Sequence, residues 1–121
     1  MKRTAFVILS LSFGLAGSAA LAEFKPIKKE KDFRAQLVDR KLTDANGNWT
    51  IIKSDGSQTG SFGGKTYKGA WTWNGKFWCR NGIIGKKEIG TDCQLVEIDG
   101  NTTRFTRSKG KGKVGDPFTI N

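Results

Sequence analysis

From Lys41 to the C-terminus, dipeptides that favour tight turns divide the chain into short segments. These dipeptides are Asn46-Gly47, Asp55-Gly56, Gly63-Gly64, Asn74-Gly75 and Asp99-Gly100. Asn-Gly and Asp-Gly readily adopt the positive φ angles of the turns that join antiparallel strands. The segments between them predict strands at 49–53, 58–62, 66–73, 76–80, 93–98, 102–107 and 118–120. About seven to eight short strands with no long helix between them predict an all-β, mainly antiparallel fold, either a small closed barrel or a sandwich.

The segment before these strands predicts one short helix. Phe33 and Leu37 stand four residues apart in 32–38, a spacing that suits a helix packed along one edge of the barrel. Residues 23–31 are polar and basic and contain Pro26, so we expect them to form an exposed lead-in.

The first 22 residues have the pattern of an export signal. Lys2 and Arg3 precede an apolar run at 5–17, and Ala20-Leu21-Ala22 matches a signal-peptidase site. The run is too short to span a bilayer, and the mature chain has no second one. We therefore expect cleavage after Ala22, a periplasmic or secreted location, and a single small β-barrel domain at 23–121. A retained N-terminal anchor is the alternative.

Cys79 and Cys93 are the two cysteines of the chain. In an exported protein they predict a disulfide bond, with a free thiol pair as the alternative. A small domain benefits from such a bond, which is expected to stabilise it by about 3 kcal/mol.

The chain contains no histidine, which excludes Ser-His-Asp and Cys-His catalysis. With both cysteines paired, thiolate zinc sites are excluded as well. The string from Gly110 to Gly115 matches GxGxxG, but no βαβ unit surrounds it. Glu97 and Asp99 offer little support for an acid–base pair. We therefore expect no catalytic residues, no cofactor and no metal; an enzyme built on carboxylates is the alternative.

The hairpin around Asn74-Gly75 carries most of the tryptophans. A loop made of these two residues predicts that Trp71 faces Trp78 and that one face of the hairpin is aromatic and basic. That face comprises Trp71, Trp73, Lys76, Trp78 and Arg80. It either forms the barrel core, with Lys76 and Arg80 reaching past the rim, or is exposed and binds single-stranded nucleic acid or sugar. We favour the core, because the chain has few other large apolar side chains.

Basic residues give the chain a formal charge of +10, or about +8 without Lys2 and Arg3. The candidate ligand-binding residues are Arg104, Arg107, Lys109, Lys111 and Lys113, which we expect to form one patch at an end of the barrel. Such a patch would attract an anionic polymer in a salt-dependent way. Simple solvation of the lysines is the alternative.

The stretch GAWTWNGKFWCR at 69–80 resembles a family of small exported alphaproteobacterial proteins, as do Asp92-Cys93-Gln94 and Arg104-Phe105-Thr106. Many members of that family carry the name dihydrodipicolinate reductase. The resemblance implies an exported β-domain, although Ile83-Ile84 replace a Trp-Gly element of the family. The reductase activity is not expected, because about 99 residues without βαβ units cannot form a nicotinamide-binding domain.

The sequence therefore predicts a monomeric, exported, non-catalytic β-barrel that binds a partner. The partner is an envelope polymer, an anionic ligand or another protein, including an enzyme that it inhibits. Nucleic-acid or sugar binding through the aromatic face is the alternative.

Overall fold

The computed structural model of the protein describes residues 23–121, so the predicted signal peptide at 1–22 lies outside the described residues. Ten strands and one α-helix make up this part of the chain. The elements are β1 (Lys25–Ile27), α1 (Glu30–Leu37), β2 (Lys41–Thr43), β3 (Trp49–Ile52), β4 (Ser57–Phe62), β5 (Lys65–Asn74), β6 (Phe77–Ile84), β7 (Lys87–Glu88), β8 (Asp92–Asp99), β9 (Thr102–Thr106) and β10 (Phe118–Ile120).

Eight of the strands form a closed antiparallel barrel. Its order is β8-β9-β10-β2-β3-β4-β5-β6, and β6 pairs with β8 to close the ring. This confirms the predicted all-β fold and identifies it as a barrel. The closing contact, called the seam below, contains three residue pairs, with Cys79 opposite Cys93 at its centre. Both cysteines form the predicted disulfide.

Two short strands lie outside the ring at either end of the seam. β1 pairs with the C-terminal half of β8, and β7 pairs with the end of β6. The expectation of an exposed lead-in at 23–31 is wrong for β1, whose Ile27 is buried. Pro26 fits there because an edge strand tolerates a residue without an N–H group.

Helix α1 closes one end of the barrel and confirms the predicted helix to within two residues. Phe33 and Leu37 are fully buried. The ring of Phe33 lies 5.4 Å from that of Trp71 and 5.1 Å from that of Trp73. The apolar core therefore gathers at this closed end. No helix among residues 23–121 has the length and apolar character needed to cross a membrane.

The β5–β6 hairpin differs in register from the prediction. Its loop is Gly75-Lys76, and Trp73 rather than Trp71 faces Trp78. Gly75 has a φ of 63°, which fits the first central position of a type II′ turn. The predicted pairing is wrong by two residues of the partner strand, so the strand residues still point to the predicted face, whereas Lys76 lies in the loop.

Candidate functional site: the barrel cavity

A cavity of about 280 Å³ occupies the barrel interior at the end opposite α1. We call its opening the mouth. The connections β2–β3, β4–β5, β6–β7 and β9–β10 surround the mouth, because all of these strand ends lie at the same edge of the barrel. The walls combine aromatic rings with a few polar side chains, among them Gln58, Tyr67, Arg80 and Gln94.

β6 supplies the side chains that define the depth of the cavity. Alternate residues of a strand point to the same face, so Trp78, Arg80, Gly82 and Ile84 all face the interior. They succeed one another from the closed end to the mouth. Arg80 therefore lies one layer above Trp78 and well below the opening.

Arg80 is a buried cation without a close carboxylate. Its side chain belongs to a residue only 8% exposed, and Nη1 donates a hydrogen bond to the carbonyl oxygen of Gly90 at 3.1 Å. The ion pairs of residues 23–121 are Arg34–Glu30 and Arg104–Glu97, and neither involves Arg80. Buried charges in proteins are normally paired, so the cavity lacks a negative charge that would balance Arg80.

Asp92 stands opposite Arg80 across the seam, but its carboxylate has other partners. It accepts hydrogen bonds from Gln94 Nε2 at 3.0 Å and from the backbone N of Ser108 at 3.2 Å. Burial lowers the pKa of Arg80, and electrostatic interactions with Tyr67 and Asp92 oppose that effect only in part. The positive charge of Arg107 adds to the lowering of that pKa.

Trp78 has a polar group that lacks a partner. The residue is 4% exposed, and its ring packs 4.8 Å from that of Phe105 on the cavity wall. Its buried Nε1–H has no acceptor among residues 23–121, whereas the indole N–H groups of Trp71 and Trp73 donate to carbonyl oxygens at 2.8 Å. A buried unsatisfied donor costs about 1–3 kcal/mol. The Nε1 atom is enclosed by protein, so the part of Trp78 that the cavity presents to a ligand is its ring.

A chain of hydrogen bonds fixes the adjacent wall, which β3, β4 and β5 form. The hydroxyl of Thr50 donates to the carbonyl oxygen of Thr59, so its oxygen accepts from Nε2 of Gln58 at 2.9 Å. This orientation leaves Oε1 of Gln58 as an acceptor 3.3 Å from the Tyr67 hydroxyl, whose other acceptor is the carbonyl oxygen of Asn81 at 3.2 Å. Burial raises the pKa of Tyr67, which keeps its hydroxyl protonated.

Two glycines make room for the Tyr67 ring. Gly69 and Gly82 are paired across β5 and β6, and the ring lies over both. A Cβ atom at Gly82 would lie 2.5 Å from Cε2 of Tyr67, and one at Gly69 would collide with the Tyr67 hydroxyl. The glycine pair therefore lets the ring lie flat against the wall instead of filling the cavity.

The structure divides the predicted aromatic and basic face between two places. Trp71 and Trp73 pack towards α1, while Trp78 and Arg80 line the cavity. Lys76 is exposed in the turn at the closed end. Arg80 was expected to reach past the rim, and this is wrong because it is buried inside. Since Trp71 and Trp78 are each 4% exposed, they do not offer the stacking surface that nucleic-acid binding needs.

The predicted basic patch is also only partly assembled. Arg107 lines the cavity mouth, and Lys109 lies on the outer wall with Nζ 5.8 Å from the Phe77 ring. Arg104 stands apart from them on the outer wall, where it pairs with Glu97 at 3.1 Å and covers the ring of Phe24. The remaining members of the patch, Lys111 and Lys113, are exposed in the β9–β10 connection.

Sequence reasoning missed Gln58, Tyr67, Gln94 and Phe105 as cavity residues. A signal existed for Tyr67: the strand alternation that groups Trp71 with Trp73 also reaches back to Tyr67. Gln58 lies on β4, which pairs directly with β5, whereas Gln94 lies on β8, which meets the hairpin only where the barrel closes.

Comparison with known protein families, curated proteins and solved structures finds no match for this chain. The function therefore has to be inferred from the cavity itself. Within residues 23–121, no group of three or more His, Cys, Asp or Glu side chains could hold a metal ion. The cavity instead presents hydrogen-bond donors between aromatic walls, an arrangement suited to binding a small molecule.

Proposed function

We propose that the protein is an exported, non-catalytic binding protein that holds a small molecule inside the barrel. The observation that carries this proposal is the guanidinium of Arg80, which lies in the wall of the cavity without a carboxylate partner among residues 23–121. Native proteins rarely leave a buried charge unpaired. A ligand oxygen or nitrogen in the cavity would accept hydrogen bonds from this guanidinium.

The size of the cavity limits the ligand. A dry cavity of about 150 Å³ is large enough to bind benzene, and known ligand sites range upwards from about 300 Å³. At about 280 Å³, this cavity fits a compound with one or two small rings. Because α1 closes the far end, the ligand would enter through the mouth.

The residues of the cavity favour binding over catalysis. The deep polar groups are the guanidinium of Arg80, the amides of Gln58 and Gln94, and the hydroxyl of Tyr67, whose pKa is raised. None of these is a good general base near neutral pH. Asp44, at the mouth, is occupied by hydrogen bonds from Asn46 and Asn48.

Export is proposed from the N-terminal pattern and is supported by the disulfide at the seam, since such bonds persist in oxidising compartments. The intact mass of protein recovered from the periplasm or medium should begin at Glu23 and lack two hydrogens relative to the reduced form. A cytoplasmic protein with two alkylatable thiols would contradict this.

A blocked mouth provides the test of the binding site. Ile84 faces the cavity, whereas its neighbour Ile83 is 42% exposed on the outside. We expect isothermal titration calorimetry to show one-to-one binding of at least one compound among phenol, indole, 4-hydroxybenzoate and indole-3-acetate. Ile84→Trp should abolish this binding, and the matched control Ile83→Trp should retain it. Lack of binding by all four compounds, or equal binding by both variants, would overturn the proposal.

A second proposal concerns the β9–β10 connection, whose Arg107, Lys109, Lys111 and Lys113 are all exposed. These cations favour an anionic polymer bound on the outside of the barrel. Such binding would weaken steeply with added salt, whereas a small ligand held inside the barrel is screened much less.

A further inference from the structure

We infer that the ligand is a planar aromatic monocarboxylate whose carboxylate binds Arg80 deep in the cavity. This inference rests on the proposed function and adds the chemical class of the ligand and its orientation. It combines three features of the cavity: the positive charge of Arg80, the free N–H groups of its guanidinium, and the aromatic walls.

The first feature is the charge of Arg80. The side chain is buried, and its observed hydrogen bond goes to the uncharged carbonyl oxygen of Gly90. Asp92 faces Arg80 across the seam, but its carboxylate accepts hydrogen bonds from Ser108 and Gln94. A single negative charge on the ligand would balance Arg80, whereas a second one would be buried beside Asp92 without a partner.

The second feature is the number of free donors. A guanidinium has five N–H groups in a planar fork, which matches the two oxygens of a carboxylate. Within residues 23–121, Arg80 donates only one hydrogen bond, to the carbonyl oxygen of Gly90. Trp78 lies two residues away on the same face of β6, about 7 Å along the strand. A ligand bound to Arg80 therefore lies above the Trp78 ring, which forms the next layer of the cavity wall.

The third feature is the set of rings around these donors. Phe105 stands between Trp78 at 4.8 Å and Phe118 at 6.1 Å, and Phe62 packs edge-on against Tyr67 at 5.6 Å. All five rings line the cavity. Flat ligands gain offset-stacked and edge-to-face contacts in such surroundings, which an aliphatic acid of the same size would not.

The rim explains why the carboxylate would point inwards. Asp44 and Asp116 line the mouth together with Arg107, so the rim carries both signs of charge. Deeper in the cavity, the positive charge of Arg80 has no carboxylate partner among residues 23–121. Orientation with the carboxylate inwards and the ring towards the mouth places each part of the ligand against matching groups.

Matched acid and amide pairs test this inference. We expect indole-3-acetate to bind about tenfold to hundredfold more tightly than indole-3-acetamide, because a hydrogen bond to a charged group contributes about 1.5–3 kcal/mol. The same order should hold for 4-hydroxybenzoate against 4-hydroxybenzamide. Both members of a pair have nearly the same shape, so calorimetry measures the contribution of the charge.

Arg80→Gln should bring the acid and the amide to similar affinities, and Arg80→Lys should retain part of the preference. Lys31→Gln, which removes one exposed charge on α1, is the matched control and should leave the preference unchanged. If Arg80→Gln does not fold by circular dichroism, the ratio measured on the native protein decides the question.

Equal binding of acid and amide by the native protein would overturn the carboxylate inference and leave the proposed cavity intact. Failure of both members of each pair to bind, together with phenol and indole, would overturn the proposed function as well. A preference for the acid that persists in Arg80→Gln would also contradict the inference, because it would place the charge elsewhere.

Discussion

The glycine at position 82 controls how much of the cavity is open. A methyl group there would lie 2.5 Å from Cε2 of Tyr67 and 2.8 Å from the carbonyl oxygen of Lys68. Gly82 is not among the glycines with positive φ, so alanine meets no backbone strain at this position. The effect of a substitution is therefore steric, and it acts on the Tyr67 ring and on the backbone of Lys68.

Gly82→Ala should lower the free energy of unfolding by about 1–3 kcal/mol, the usual cost of overpacking. It should also weaken ligand binding, because the displaced ring enters the cavity. Urea denaturation and calorimetry measure the two effects.

Tyr67→Ala provides the background for a double-mutant cycle. In that background Gly82→Ala should cost less, since the clash with the ring is gone and only the contact with the carbonyl oxygen of Lys68 remains. Strictly additive effects would show that the glycine does not act through Tyr67.

At the residue scale, the sequence predicted which side chains face inwards but not how they are paired. Trp71, Trp78 and Arg80 were assigned to one face by strand alternation, and the structure places them there. The missing acceptor of Trp78 and the missing carboxylate of Arg80 could not be predicted. They depend on side chains brought in from several strands that are far apart in the sequence.

At the scale of elements, the seam between β6 and β8 joins stability to the proposed site. Its three residue pairs are Trp78–Gln94, Cys79–Cys93 and Arg80–Asp92. The disulfide therefore lies between the two residues that we propose contact the ligand. Loss of the covalent bond would loosen the seam, which has only three residue pairs.

Cys93→Ser should lower the free energy of unfolding by about 2–4 kcal/mol, because the open chain regains loop entropy. Denaturant melts of the oxidised protein, the reduced protein and the variant measure this effect. Reduced protein should behave like the variant. Identical transition midpoints for all three would show that the bond contributes nothing to stability.

The elements themselves were predictable to different degrees. The turn dipeptides located the long strands, and the spacing of Phe33 and Leu37 located α1. The hairpin register failed because Asn74-Gly75-Lys76 allows two placements of a two-residue loop, and only the positive φ of Gly75 at its first position decides between them. β1 was missed because its pairing is provided by β8, more than sixty residues later.

At the scale of the whole molecule, the sequence left a barrel and a sandwich as alternatives. Local turn signals describe neighbouring strands, and they say nothing about whether the first and last strands of a sheet meet. Closure requires β8 to pair with β6 on one edge and β9 on the other. The cavity exists only after that closure, so no local pattern could have predicted it.

Charge is the other property of the whole molecule. The basic residues of the β9–β10 connection are exposed, while the cation of the proposed site is buried. These two locations predict different ligands: an anionic polymer outside or a small anion inside. A measurement that reports on position therefore separates them better than affinity alone.

The indole N–H signals in a ¹⁵N–¹H correlation spectrum provide that measurement. Titration with indole-3-acetate should shift the signal of Trp78, assigned by its loss in Trp78→Phe, because the aromatic ring of the ligand would lie close to the Trp78 ring in the cavity wall. The signals of Trp71 and Trp73, already bonded to Lys53 and Gly75, should move little. If the Trp78 signal stays in place while the backbone amides of 107–113 shift, the ligand binds on the outer loop and the account of the cavity is wrong.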